Sequence, residues 1–254
     1  MSRVLEPELM DDDAQAEAYA VADFSEPNHA FVERFRRIFP EWTGGHVLDL
    51  GCGPADIPIR LCAALPGARV TAIDGSRSML ALARRSIVSA SLSNRILLRE
   101  GTLTSHGLAE PSNLAVTPWA AVNAAEFGPV DALISNSLLH HLHDPAVLWR
   151  AIAGLGREGV PVLVMDLMRP STPDDARRLV KLYAADERPV LKKDFFRSLC
   201  AALTVDEARE QLRAQSARLG GLSVEAVSDR HLVVWGRMGA GAGVGAGARE
   251  RRRD

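Results

Sequence analysis

His46-Val47-Leu48-Asp49-Leu50-Gly51-Cys52-Gly53-Pro54 is an apolar run that stops at two glycines, and its reading decides the fold. Val47, Leu48 and Leu50 make the short apolar stretch of a buried strand. Gly51 and Gly53 let the chain turn sharply and bring its backbone N–H groups close to a ligand, so a side chain at Gly51 is expected to enter the ligand's space. Asp49 lies near the end of the strand, where a carboxylate is costly unless hydrogen-bonded. It is expected either to order the N–H groups of the loop or to reach a ligand ammonium. The glycines alone are equally compatible with a tight turn, because Asp56 occupies the third glycine position of a dinucleotide fingerprint.

A second strand, Arg69 to Ile73, ends in Asp74. A carboxylate there can accept hydrogen bonds from both hydroxyls of a ribose. It can also cap the next helix, a role that Ser76 fills equally well. Met79, one turn into that helix, fits under a purine ring or in the core. The strand, the glycine turn and the second acidic strand end together imply a nucleoside-binding site.

Further along, apolar runs alternate with helical patterns: helix 56–65, helix 76–89, strand 95–99, strand 130–135, helix 144–154 and strand 160–166. This βαβα order predicts an α/β fold with a mainly parallel, doubly wound sheet. Residues 14–39 read as an aromatic-rich helical cap containing Tyr19, Phe31 and Phe35, and 103–127 as an irregular connection with a short helix at 117–126. Segments 173–186 and 204–218 read as helices, and 222–227 with 231–236 as a β-hairpin. Residues 1–13, which are polar and acidic, and 239–254, a glycine- and alanine-rich tail ending in arginines, are expected to be disordered. A single domain over 14–238 is expected.

Composition narrows the function. The 254 residues are 47% hydrophobic and 24% charged with a net charge of −2, which argues against a polyanion-binding surface and hence against nucleic acid. Cys52, Cys62 and Cys200 contain no CxxC, so neither a disulfide framework nor a zinc knuckle is indicated. No stretch reaches the roughly 18 apolar residues of a membrane span, and Asp11-Asp12-Asp13 replaces the basic start of a signal peptide. A cytoplasmic location without membrane attachment is the expectation.

Val47 to Pro54, Asp74, Arg99-Glu100-Gly101-Thr102 and Asp131 to Leu142, with its Leu139-His140-His141-Leu142 sequence, resemble the class I S-adenosylmethionine-dependent methyltransferases of the small-molecule, bacterial-like type. The likeness spans residues 30–236. It implies a Rossmann-like, seven-stranded sheet ending in an antiparallel hairpin, with S-adenosylmethionine as cofactor. It also implies that Asp49, Gly51, Cys52 and Gly53 hold the methionine part, Asp74 the ribose, and Gly101 with Thr102 the adenine edge. Gly75, Met79 and Asn136 complete the expected contacts. Thr102 departs from the family pattern, which commonly has an aspartate there; a hydroxyl is a weaker acceptor for an exocyclic amine.

A sulfonium methyl is already activated, so alignment matters more than catalytic side chains, and the resemblance assigns none. If the acceptor hydroxyl needs a general base, His140, His141 and Tyr19 are the candidates. His140 and His143 would share a helical face, but no further carboxylate or cysteine is placed by sequence to complete a shell, so no metal is expected. A small-molecule acceptor is favoured, because Asn136-Ser137-Leu138-Leu139 replaces the Asn-Pro-Pro-aromatic sequence of amino-directed nucleic-acid enzymes. The alternatives are a non-catalytic cofactor-binding regulator, transfer of another group from the sulfonium, and a nicotinamide-dependent dehydrogenase. The last is disfavoured because Glu187 follows Tyr183 where the short-chain type needs lysine.

Overall fold

The computed structural model describes residues 1–6, 24–109, 116–118, 128–215 and 217–240. Helices α1 (Ser25–Ile38), α2 (Asp56–Ala64), α3 (Arg77–Ser89) and α4 (Ala146–Leu155) alternate with strands β1 (Gly44–Leu50), β2 (Gly67–Asp74), β3 (Ile96–Glu100), β7 (Ala132–Asn136) and β8 (Pro161–Leu167). A small antiparallel sheet, β4 (Thr102–Leu103), β5 (Gly107–Ala109) and β6 (Val116–Pro118), sits between β3 and β7. Helices α5 (Pro173–Tyr183), α6 (Pro189–Ala201) and α7 (Val205–Ala214) follow, and β9 (Ser223–Ala226) and β10 (His231–Arg237) close the chain.

The main sheet has seven strands in the order β3-β2-β1-β7-β8-β10-β9. The first five are parallel, and β10 runs antiparallel to both β8 and β9. This is the doubly wound α/β sheet with a terminal hairpin that the sequence predicts. Strand order reverses at β1, which pairs with β2 on one side and β7 on the other, so the cleft over its carboxyl end is where such sheets bind ligands.

Alternation along the strands assigns the two faces. Leu48, Leu50, Leu133, Val162, Val164, Leu232 and Val234 pack with Leu148, Trp149 and Ile152 of α4 and Leu212 of α7. Val47, Val70, Ala72, Ile134, Leu163 and Val233 pack on the other face with Phe31 and Phe35 of α1, Leu61 of α2 and Ala83 and Ile87 of α3. A strand covered on both sides must be apolar throughout, and this is why the motif strand reads as an unbroken run. Buried Trp149 donates its ring N–H to Gln211 Oε1 at 2.8 Å, so its burial leaves no polar atom unmatched.

Several expectations are corrected. Residues 117–118 belong to β6 rather than to a helix, and 119–126 lie outside the described residues, as do 14–23 with Tyr19. Helix α6 was not anticipated. Residues 1–6, assigned by sequence to a disordered terminus, instead form an ordered strap: Val4 N–H donates to Cys200 O, and the Arg3 guanidinium donates to the carbonyls of Ala201, Leu142, His140 and His143. Those carbonyls have no helical or strand partner to compete for, so one arginine satisfies four of them. Among the described residues no helix is long and apolar enough to cross a membrane.

The β1–β2 pairing begins with two facing glycines, Gly44 and Gly67. A Cβ on Gly44 would lie 2.6 Å from the Gly67 backbone, which cannot retreat. Gly44→Ala is therefore expected to lower unfolding stability by about 1–3 kcal/mol in urea titration; unchanged stability would show that the two strands do not approach so closely.

Candidate functional site

The carboxyl ends of the parallel strands open into a cavity of about 920 Å³. Asp49, Gly51, Cys52, Gly53, Asp74, Gly75, Met79, Gly101, Thr102 and Asn136 all line it, together with His140 and His141. The structure thus brings every sequence-predicted site residue within the described segments to one place.

Asp74, the last residue of β2, organises the loops. Its Oδ2 accepts from Gly53 N at 2.8 Å and its Oδ1 from Ser76 N at 2.8 Å. Ser76, not Asp74, caps α3, accepting from Met79 N at 3.2 Å. Each carboxylate oxygen carries two lone pairs, and Asp74 lines the cavity. Gly51 N and Cys52 N both donate to Ile73 O at 2.9 Å, and Gly101 N donates to Asp74 O at 3.0 Å, which ties the ends of β1, β2 and β3 together.

Asp49 differs from its expected role. The amides of the glycine loop go to Ile73 and Asp74, and among the described residues no group donates to the Asp49 carboxylate. Only the second expectation, reach toward a ligand cation, remains for it. Burial pushes its pKa up to about 8, and the neighbouring charge of Asp74 adds to the rise. A carboxyl with a raised folded-state pKa loses stability as pH climbs from the ordinary carboxylate range toward about 8, unless a cation arrives to hold the charge.

The two glycines also differ. Gly51 has φ +81°, and a Cβ there would lie 2.9 Å from the Leu138 side chain, so packing against Leu138 already forbids a side chain. Gly53 has φ +52° and nothing within 4 Å of its would-be Cβ. It is Gly53 that leaves room. Cys52 is buried with its thiol pushed up by burial first and by Asp74 and Asp49 next, so it stays neutral and serves as wall.

Beyond β7, Asn136 presents a buried Oδ1 with no hydrogen-bond donor among the described residues. Ser137 is held at φ +56°, a left-handed conformation uncommon for serine, by its N–H bond to Met165 O. Next to it is a polar cluster that sequence reasoning did not find whole. Asp166, near the end of β8 and 2% exposed, accepts from Leu139 N at 2.6 Å and from Leu167 N at 2.7 Å, and pairs with His140 Nδ1 at 2.5 Å. Burial disfavours a charged His140 ring, but the Asp166 carboxylate, with help from Glu6, outweighs it and holds the pKa above the ordinary value. Glu6, delivered by the strap, lies 3.7 Å from His140 Nε2 and 3.4 Å from His141 Nδ1. Burial raises the Glu6 pKa, with His140 and Ser198 opposing.

Asp166 was legible by the rule applied to Asp49, a carboxylate near the end of a buried strand. Glu6 carried no local signal. Tyr183, Arg230 and His231 also line the cavity unannounced. The Arg230 guanidinium stacks 3.3 Å from the centre of the Tyr183 ring, and desolvation brings the His231 pKa down to about 4, so that ring is neutral.

Comparison with known proteins places the chain among methyltransferase-like sequences and folds. A family model described as a methyltransferase domain matches residues 48–161. A trans-aconitate 2-methyltransferase of Paracidovorax citrulli is 42% identical over 64 residues, which cover 25% of this chain and 23% of that protein. A release factor glutamine methyltransferase of Deinococcus radiodurans is 31% identical over 152 residues, 60% of this chain and 46% of that one. The chain thus spans less than half the length of these curated relatives. An O-methyltransferase family protein from Burkholderia thailandensis has the same fold, with a TM-score of 0.59 at 17% identity over 91% of this chain and 61% of its own. The matching methyltransferase domain covers β1 to the start of β8, and it coincides with the seven-stranded sheet and the glycine loop between two acidic strand ends that the resemblance to class I S-adenosylmethionine-dependent methyltransferases implies.

Proposed function

We propose that the protein transfers a methyl group from S-adenosylmethionine to a small-molecule acceptor by in-line displacement. The observation that carries this reading is the pair Asp49 and Asp74 on adjacent strand ends, one without a donor and the other braced by two amides, both lining one cavity. The residues fit the cofactor. Asp49 supplies a buried acceptor for an ammonium group, Asp74 acceptors for ribose hydroxyls, Gly53 a wall without a side chain, and Asn136 a buried oxygen in need of a donor.

S-adenosylmethionine supplies the sulfonium methyl carbon as an electrophile that needs no further activation. The protein's part is to bind, to orient and to exclude water. Asp49 and Asp74 fix the two ends of the nucleoside amino acid, and Met79, 4% exposed beside them, offers a polarizable surface for the base. Neutral Cys52 adds no competing nucleophile. Activation of an acceptor falls on the other side of the cavity, under β7 and β8, where His140 and His141 meet Glu6. From the end of β2 to the end of β8 is three strand spacings, roughly 14 Å, a span that takes the cofactor and leaves room for an acceptor.

A cavity of this volume suits a small molecule, and the net charge of −2 gives no surface for a polyanion. The partial likeness to a trans-aconitate methyltransferase supports the same class of acceptor. The likeness to a glutamine methyltransferase keeps a protein side chain as the competing acceptor, and that one would have to enter the cavity as an extended loop.

Two outcomes test the cofactor assignment. Asp74→Ala should weaken S-adenosylmethionine binding by about 1–3 kcal/mol in calorimetry, for lost hydrogen bonds to a charged acceptor; unchanged affinity removes Asp74 from the site. Because Asp49 has a pKa of about 8 in the free protein, it is mostly protonated at pH 7. A bound ammonium lowers that pKa while the ligand's own amine keeps its proton at pH 7. Binding should therefore release about one proton per cofactor at pH 7, read from calorimetry in buffers of different ionisation enthalpy, and affinity should rise as pH climbs toward 8. Asp49→Asn should abolish the release. A wild-type binding event with no proton released would place the ammonium elsewhere.

A further inference from the structure

We propose that Glu6, His140 and His141 form a binding site for a divalent transition-metal ion on the acceptor side of the cavity. Glu6 Oε1 lies 3.7 Å from His140 Nε2 and 3.4 Å from His141 Nδ1, and one ligand atom from each of the three residues falls within 4.8 Å of the others. These separations are too long for N–H···O hydrogen bonds, which cluster near 2.9 Å. They match the roughly 3.3 Å between two ligand atoms that share one tetrahedral ion at about 2.0–2.1 Å.

Three further observations belong to a built site. Asp166 holds His140 Nδ1 at 2.5 Å, which leaves Nε2 as the lone-pair nitrogen on the Glu6 side; a carboxylate behind a histidine is the usual outer partner of a metal ligand. Glu6 is 9% exposed, yet its Oε1 receives no hydrogen bond among the described residues and faces the two imidazoles. The strap that carries Glu6 is fixed on both sides of it: Arg3 grips the carbonyls of residues 140, 142, 143 and 201, and the His143 ring bonds the Glu6 carbonyl at 2.8 Å. A carboxylate so anchored is not a solvated terminal charge.

Two imidazoles and one carboxylate suit zinc, iron(II) or cobalt(II) rather than magnesium or calcium, which prefer all-oxygen shells. Three protein ligands leave a coordination position open, and all three residues line the cavity, so that position is available to an acceptor. On the methyl-transfer reading, on which this role rests, an acceptor hydroxyl bound to the ion loses its proton to water at a lower pH. Its oxygen then attacks the methyl carbon while the carbon–sulfur electron pair stays on sulfur. The two histidines act as ligands, and no general base is needed. The sequence reading found no third ligand because Glu6 lies 134 positions before His140.

The test uses the full chain, stripped by chelator and titrated with cobalt(II), which reports coordination by its visible absorption. One equivalent per chain is expected, displaced by zinc(II). Glu6→Gln and His141→Ala should each weaken it by tenfold or more, and Asp166→Asn by about 10–100-fold. S-adenosylmethionine affinity, measured on the same samples, should stay within about twofold in Glu6→Gln, which shows that the variant is folded; should Glu6→Gln not fold, His141→Ala carries the comparison. Absence of stoichiometric cobalt, or cobalt bound equally well by the variants, overturns the metal site and leaves the cofactor assignment standing. Loss of cofactor affinity in the unaltered protein overturns the methyl-transfer reading instead, whatever the cobalt shows.

Discussion

The Asp74 carboxylate joins the parts on which the cavity depends. One oxygen holds the glycine loop after β1 and the other holds the start of α3, so two connections that would otherwise vary independently are fixed to the tip of β2. Each bond is a charge-assisted one to a backbone amide, the stronger class of hydrogen bond in proteins. With the loop fixed, Gly53 is kept open and the buried Asp49 is kept beside Asp74. The two carboxylates then raise each other's cost of ionising. That cost is removed by a cation, and an ammonium-bearing nucleoside supplies one.

Polarity at the sheet's carboxyl edge follows a simple geography. Asp74, Asp49, Asn136 and Asp166 stand at or next to the ends of β2, β1, β7 and β8, above strands whose remaining residues are mostly apolar. The strands bury both faces, and only their tips face a cavity, so chemistry is confined to the tips. Asp166 spends its acceptors on Leu139, Leu167 and His140 and thereby shapes the turn after β7, whereas Asp49 spends none on the protein. The same residue type near the carboxyl ends of two strands is spent on the protein in one case and, on the proposed function, kept for a ligand in the other. The difference lies in which amides the following turns bring within reach.

Much of this was legible in the sequence because its causes are local. Strands covered on both sides must be apolar runs, Gly51 and Gly53 stand where φ is positive, and Ser76 caps as serines do; each leaves a mark within a few residues. Helix α6 escaped because Pro189-Val190-Leu191-Lys192-Lys193-Asp194-Phe195-Phe196 mixes apolar and charged residues without a clean stripe. The expected helix at 117–126 rested on small residues in a segment whose start is instead paired to β5, a non-local cause. The strap 1–6 is the clearest case. Met1 to Glu6 is a mixed hexapeptide with no periodicity, and its order comes from Arg3 reaching carbonyls some 140 and 198 residues away. Glu6, brought to His140 and His141 by that strap, could not be paired with them by any reading of spacing.

On the proposed function, Asp49 and Asp74 hold opposite ends of one sulfonium nucleoside. Native mass spectrometry of the purified full chain, with and without added S-adenosylmethionine, tests it most directly, because it reads cofactor occupancy before any acceptor is known. The expected result is one molecule of S-adenosylmethionine or S-adenosylhomocysteine per chain, with the Asp49→Asn, Asp74→Ala double variant remaining bare under the same conditions. A wild-type chain that stays bare at saturating cofactor, or a double variant that fills as readily, would contradict it.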